Sequence, residues 1–129
     1  MTNEIKISIS PVAKPRMTQS DKWKGRECVL KYWAYKDNLT SLCNLNKFKL
    51  GNEFEVNFFI KMPESWSKRK KEKMNGKPHQ SKPDKNNLTK ALEDCLLGDD
   101  SGVWHTIETK RWAEEGSIHI RNIKNEMDI

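Results

Sequence analysis

The sequence predicts an α/β domain of the α+β kind, a mixed sheet covered by helices. Two short runs alternate apolar and polar residues and stop at prolines, two longer stretches carry apolar residues at helical spacing, and no internal repeat is present. At 129 residues the chain has the length of one domain, so residues 1–129 are read as a single unit. With 35% hydrophobic and 33% charged residues and a mean hydropathy of −0.90, much of that domain must face water.

In the first run Ile5, Ile7 and Ile9 alternate with Lys6, Ser8 and Ser10, the period of a strand with one buried face, and Pro11 ends it. Residues 12–26 mix Lys14, Pro15, Arg16, Lys22, Lys24 and Gly25 with Trp23 and follow neither period, which reads as a basic surface loop. Residues 27–46 lack Gly and Pro and carry a broken helical stripe of Leu30, Trp33, Ala34, Leu39, Leu42 and Cys43, so a helix is expected with Trp33 in the core. Phe54, Val56, Phe58 and Ile60 then alternate with Glu55, Asn57, Phe59 and Lys61, a second strand closed by Pro63.

Residues 64–82 are dominated by Lys and Arg. Ser67 is suited to cap a short helix through Lys73, which Gly76 and Pro78 break. Leu88, Ala91, Leu92, Cys95 and Leu96 stand at i, i+3, i+4, i+7 and i+8, the apolar face of a helix that Pro83 and Asp84 start and Gly98 ends. Residues 103–112 and 117–123 are two strand-like runs, with Trp104 expected in the core. Ala113, Glu114, Glu115 and Gly116 between them read as a hairpin turn. Residues 124–129 read as a frayed tail.

Several classes of protein are disfavoured. No apolar run approaches the roughly 20 residues that cross a bilayer, and the start MTNEIKISIS lacks the pattern of a signal peptide, so a cytoplasmic protein without a membrane partner is expected. Cys28, Cys43 and Cys95 are odd in number and widely spaced, which favours reduced packing thiols over disulfides or structural zinc. The formal net charge of +6 and the sequence pI near 9.2 suit a polyanionic partner.

The chemistry concentrates between Lys82 and Trp104. Asn87, Lys90 and Asp94 form a polar stripe opposite the apolar face, Asp84 and Asn86 crowd the helix start, and Asp99 and Asp100 follow its far end. Carboxylates grouped with a lysine after a basic segment fit a magnesium site acting on phosphates. The same residues also fit a helix cap, a surface ion pair and a turn.

The stretch PDKNNLTKALEDCLLGDD resembles the core motif of the RusA family of Holliday junction resolvases, approximately PDxDNLxKxxxDxL followed by a DD pair and a hydrophobic strand. KPRMTQSDKW, VLKYWAYKD and MNGKPHQSKPD look like the phage-associated branch of that family. The resemblance covers most of the chain, from about Pro11 to Gly116. It implies a homodimeric, Mg²⁺-dependent endonuclease that binds four-way DNA junctions and nicks two strands symmetrically in recombination and repair. Carried over by position, the family's acidic residues fall on Asp84, on residue 86 and on Asp100, and its catalytic lysine falls on Lys90. Residue 86 departs from the pattern: Asn86 keeps one oxygen donor and loses a negative charge. Three explanations stay open, namely an inactivating substitution, a natural variant of weak activity, or compensation by Glu93, Asp94 or Asp99. The alternative function is a junction-binding protein with weakened or lost turnover.

On this reading Asp84, Asn86 and Asp100 would be metal ligands, Lys90 the electrostatic partner of the scissile phosphate, and Asn87 and Asp99 would fix the loops behind the ligands. His79, in a polar loop, and His105 are weaker candidates for general bases. A straight helix over residues 84–97 would separate its ends by roughly 20 Å. Asp84 and Asp100 therefore need an extended, folded-back helix start, a partner chain, or a loop that returns to the helix. Lys14, Arg16, Lys22, Lys24, Lys68, Arg69, Lys70, Lys71, Lys73, Lys77 and Lys82 are expected to hold the phosphates of the junction arms. Trp23 and Trp66, flanked by lysines, are expected either to stack on exposed bases or to pack.

Overall fold

Alternating side chains build the sheet that the sequence implies. The computed structural model describes residues 3–15 and 27–123. Its four strands are β1 (Glu4–Ile7), β2 (Glu53–Lys61), β3 (His105–Ala113) and β4 (Ser117–Asn122), in the spatial order β1-β4-β2-β3. β4 runs antiparallel to both β1 and β2, whereas β3 lies parallel to β2. Three helices accompany them among the described residues: α1 (Glu27–Leu45), α2 (Lys68–Met74) and α3 (Lys85–Leu96). The result is a mixed sheet with helices, the α+β architecture expected.

The core lies between one face of the sheet and α1 with α3. Ile5 and Ile7 of β1, Phe54, Val56 and Phe58 of β2, and Ile118 and Ile120 of β4 meet Tyr32, Tyr35, Leu39 and Cys43 of α1 and Leu88, Ala91, Leu92 and Cys95 of α3. Burying each large aliphatic side chain contributes about 2 kcal/mol, enough to override the weak helical pattern of α1. No helix among the described residues is long and apolar enough to cross a membrane. All three cysteines are free thiols; Cys43 and Cys95 are buried, and burial pushes the Cys43 thiol up to about 11, which suits a packing role.

Three expectations are corrected. β3 and β4 do not form a hairpin, because β2 lies between them and pairs with both. The link Ala113–Gly116 reverses the chain as the sequence implies, but turn residues set direction and not the choice of neighbour. The most apolar strand, β2, takes the central place. Gly116 is required where the link meets Ser10, since a Cβ there would lie 2.2 Å from the Ser10 Oγ. On α1 the buried face is Val29, Tyr32, Tyr35, Leu39 and Cys43, so Leu30 and Trp33 are exposed. Trp104 is likewise exposed, at 62%, and does not enter the core. The tail expected at residues 124–129 lies outside the described residues.

Candidate active site

The chain approaches the site along the edge of β3. Ser67 caps α2 as expected, its Oγ accepting from the Lys70 N–H at 3.2 Å, and the helix ends before Gly76, whose φ of 81° needs glycine. Residues 76–79 then lie antiparallel to β3: the Gly76 N–H donates to the Trp112 carbonyl, that of Trp112 to Lys77, and that of His79 to Lys110, at 2.9 to 3.0 Å. His79 is therefore buried, 4% exposed and 4.2 Å from the Trp112 ring, and does not lie in an open polar loop. Burial and the neighbouring Lys110 charge lower its basicity.

That shift has a measurable consequence. Unfolded His79 takes up a proton near the ordinary histidine value of about 6.5, whereas the folded side chain resists it. Its contribution to stability is complete above that value and is lost as pH falls toward the folded pKa. His119, also lowered by burial and then by Lys6, adds in the same direction. A thermal melt series from pH 7.5 to 5 is expected to show a falling melting temperature. His79→Phe, which keeps a ring against Trp112, should flatten the slope; an unchanged slope would remove His79 as a contributor.

Helix α3 starts at Lys85 with Asp84 as its N-cap, so Asn86 is helical and the folded-back start expected as one option does not occur. Asp84 caps through its backbone: its carbonyl accepts from the N–H groups of Asn87 and Leu88, and its side chain makes no capping hydrogen bond. The carboxylate is thus left for other work at the positive end of the helix. Asn86, Asn87 and Lys90 are exposed on the helix.

Asp100 reaches α3 by a returning loop. Asp99 builds that loop, its Oδ1 accepting the Ser101 N–H at 2.9 Å, a bond that lowers its carboxyl pKa. The Val103 N–H closes the turn on the Asp100 carbonyl at 3.1 Å. The Asp100 carboxylate meets the Lys90 ammonium in a short ion pair, which holds the Asp100 carboxyl below the usual range and raises Lys90. Lys90 also lies 3.5 Å from Asp94, and Asp94 lies 3.0 Å from Lys14. Lys14, Asp94, Lys90 and Asp100 thereby form one chain of alternating charge joining the N-terminal basic segment to the loop. Lys90 stands six residues beyond Asp84, about 9 Å along the helix axis.

Oxygen donors of this kind suit a hard divalent cation. Asp84 offers an uncapped carboxylate, Asn86 a neutral amide oxygen and Asp100 a second carboxylate, so the set fits in donor type and is one negative charge short of three carboxylates. Among the described residues no group of three or more His, Cys, Asp or Glu side chains is placed to hold a metal. Glu93 is close enough to sense the site: burial, then Asp100, raises its carboxyl pKa. Among the other basic candidates, Lys68, Arg69, Lys70, Lys73, Lys77 and Lys82 are exposed and Lys71 is half-buried beside Glu64, at 3.7 Å. Arg16, Lys22, Lys24 and Trp23 lie outside the described residues. Trp66 packs on Trp112 at 4.8 Å with Lys70 over its ring at 4.3 Å, the packing alternative. His105 donates to or accepts from Glu53 at 2.7 Å on the sheet face away from the helices.

Two residues beside the site went unnoticed in the sequence. The register of β3 against β2 sets Glu108 beside Val56 and Lys110 beside Phe58, on the helix side of the sheet. Glu108 lies 4.0 Å from Lys85, and Lys110 donates to the carbonyls of Ser81 and Pro83. A strand polar on both faces, in a sheet whose other strands each have one apolar face, is the signal that would have found them.

A search of curated proteins finds no match. A family model described as Endodeoxyribonuclease RusA matches residues 8–122, leaving out only seven residues at each end. The matched span contains every element from the end of β1 to β4, together with the returning loop and the helix that carry Asp100, Lys90 and Asp84. The chain belongs to the RusA endodeoxyribonuclease family.

Proposed function

We propose that this protein is a Mg²⁺-dependent endodeoxyribonuclease that binds four-way DNA junctions as a homodimer and cuts two strands symmetrically during recombination and repair in the cytoplasm. Family membership supports a Holliday junction resolvase in general. The observation that carries the finer reading is the Lys90–Asp100 pair: a loop that leaves the far end of α3 returns to the family's lysine position on that helix. The charge chain continues to Lys14, and the exposed lysines of α2 and residues 77–82 precede Asp84 in sequence.

In this reading Asp84, Asn86 and Asp100 hold Mg²⁺, which when bound polarises the phosphate and lowers the pKa of a water. Lys90 rests between Asp100 and Asp94, and an arriving phosphate takes the ammonium from them to neutralise its own charge. Water adds to phosphorus, the bond to the 3′ oxygen breaks, and that oxygen leaves with a proton. The ends are a 5′ phosphate and a 3′ hydroxyl, suited to ligation. The lysines and Lys14 hold backbone without reading bases. A second copy supplies the second cut.

Asn86 favours one further reading, a junction-binding protein of weakened turnover. The test compares a four-way junction with a linear duplex of equal length, each with and without Mg²⁺, for binding and for nicking. Paired nicks that need Mg²⁺ support the resolvase, and junction-selective binding without nicks supports the binder. Equal affinity for both DNAs overturns both readings. Junction affinity is expected to fall at least about a thousandfold between 50 and 200 mM salt, the behaviour of six or more phosphate contacts. A salt-independent Kd would remove the basic face from the account.

A further inference from the structure

We propose that Lys110 is the positioning residue for Asp84, an inference that rests on the nuclease reading above. Asp84 opens α3 without a capping bond from its own side chain, so the direction of its carboxylate depends on how the backbone around it is held. The Lys110 Nζ donates to the Ser81 carbonyl at 2.5 Å and to the Pro83 carbonyl at 2.6 Å. The Pro83 carbonyl belongs to the planar peptide group that includes the Asp84 nitrogen, so holding that oxygen orients the plane entering Asp84. Two of the three ammonium donors are engaged on neutral acceptors, and the geometry is that of a clamp.

The anchor of the clamp is rigid. Lys110 pairs in register with Phe58, which is fully buried, and its own carbonyl accepts the His79 N–H at 3.0 Å. Its side chain thus spans from the sheet edge to the two carbonyls that flank Lys82. A misplacement of about 1 Å in a reacting group can cost a hundredfold in rate. Losing the clamp leaves the Asp84 carbonyl held by the Asn87 and Leu88 N–H groups but releases the peptide plane that enters Asp84.

Lys110→Met and Lys110→Arg test this in the full chain and in the Asn86→Asp variant, with Mg²⁺ and a four-way junction. Lys110→Met should lower kcat about tenfold or more, keep the junction Kd within about threefold and leave the salt dependence of binding unchanged, and Lys110→Arg should recover part of the rate. Amide hydrogen exchange over residues 80–88 should quicken in Lys110→Met. An unchanged kcat overturns the proposal, as does a weaker Kd with a salt slope reduced by about one, the mark of a direct phosphate contact. If neither parent chain cleaves, the nuclease reading fails on its own, and unchanged exchange over residues 80–88 then overturns the clamp. Lys110→Gln, which keeps a donor for one carbonyl, carries the same test if the methionine variant does not fold.

Discussion

Asp100→Asn is expected to reduce junction cleavage about a hundredfold or more while leaving junction binding equal or tighter. The rate loss follows from the ligand role: a neutral amide would hold a hard cation less tightly, and the charge stabilisation that the cation would supply in the transition state is lost with it. The binding effect follows from the ion pair: Asp100 restrains the Lys90 ammonium, and its neutralisation frees that charge for a phosphate while removing a repulsive carboxylate from the DNA face. Because Lys90 holds the Asp100 carboxyl below the usual range, wild-type Asp100 stays ionised through neutral and mildly acidic pH. Mild acidification therefore does not reproduce the variant. The check is single-turnover cleavage and a binding titration on the same junction, alongside a melting curve. Equal cleavage rates would take Asp100 out of the site; a large loss of binding would make it a structural brace of the loop.

The split between what the sequence made legible and what it hid has a physical pattern. Elements whose own residues decide their state were readable: β2 from its alternation, α3 from its apolar stripe and Asp84, α2 from Ser67. What depended on a distant partner was not. β3 was expected beside β4 because a short link with Gly116 favours reversal, yet pairing is decided by which strand buries the most, and β2 wins. Trp33 was expected inside α1's core face, but Tyr32 and Tyr35 share the stripe with Leu39 and Cys43 and displace it. In the site, the motif residues of α3 were legible because they lie close in sequence. Asp100 was legible as a residue but not in its position, since nothing local says that the loop folds back to Lys90. Glu108 and Lys110 were hidden for the same reason: their role comes from the register of β3 against β2.

Asn86→Asp is expected to raise Mg²⁺-dependent junction cleavage at least tenfold. The substitution restores a carboxylate on the first turn of α3, two residues after Asp84 and four residues before Lys90. A more anionic donor set binds a hard cation more tightly and so raises the loaded fraction at a given Mg²⁺ concentration. Local stability does not oppose the change. An acidic residue near a helix N-terminus is favourable, and an acid four residues before a lysine is the better orientation of that pair. Any gain in rate below the melting temperature therefore reflects the site and not the amount of folded protein. Combining Asn86→Asp with Asp100→Asn sharpens the test, since ligands of one ion act as a unit and their effects do not add. The tenfold gain should shrink to less than about twofold in the Asp100→Asn background. A gain of equal size in both backgrounds would show that residue 86 acts through the helix alone, and equal rates for wild type and Asn86→Asp would show that the amide already serves.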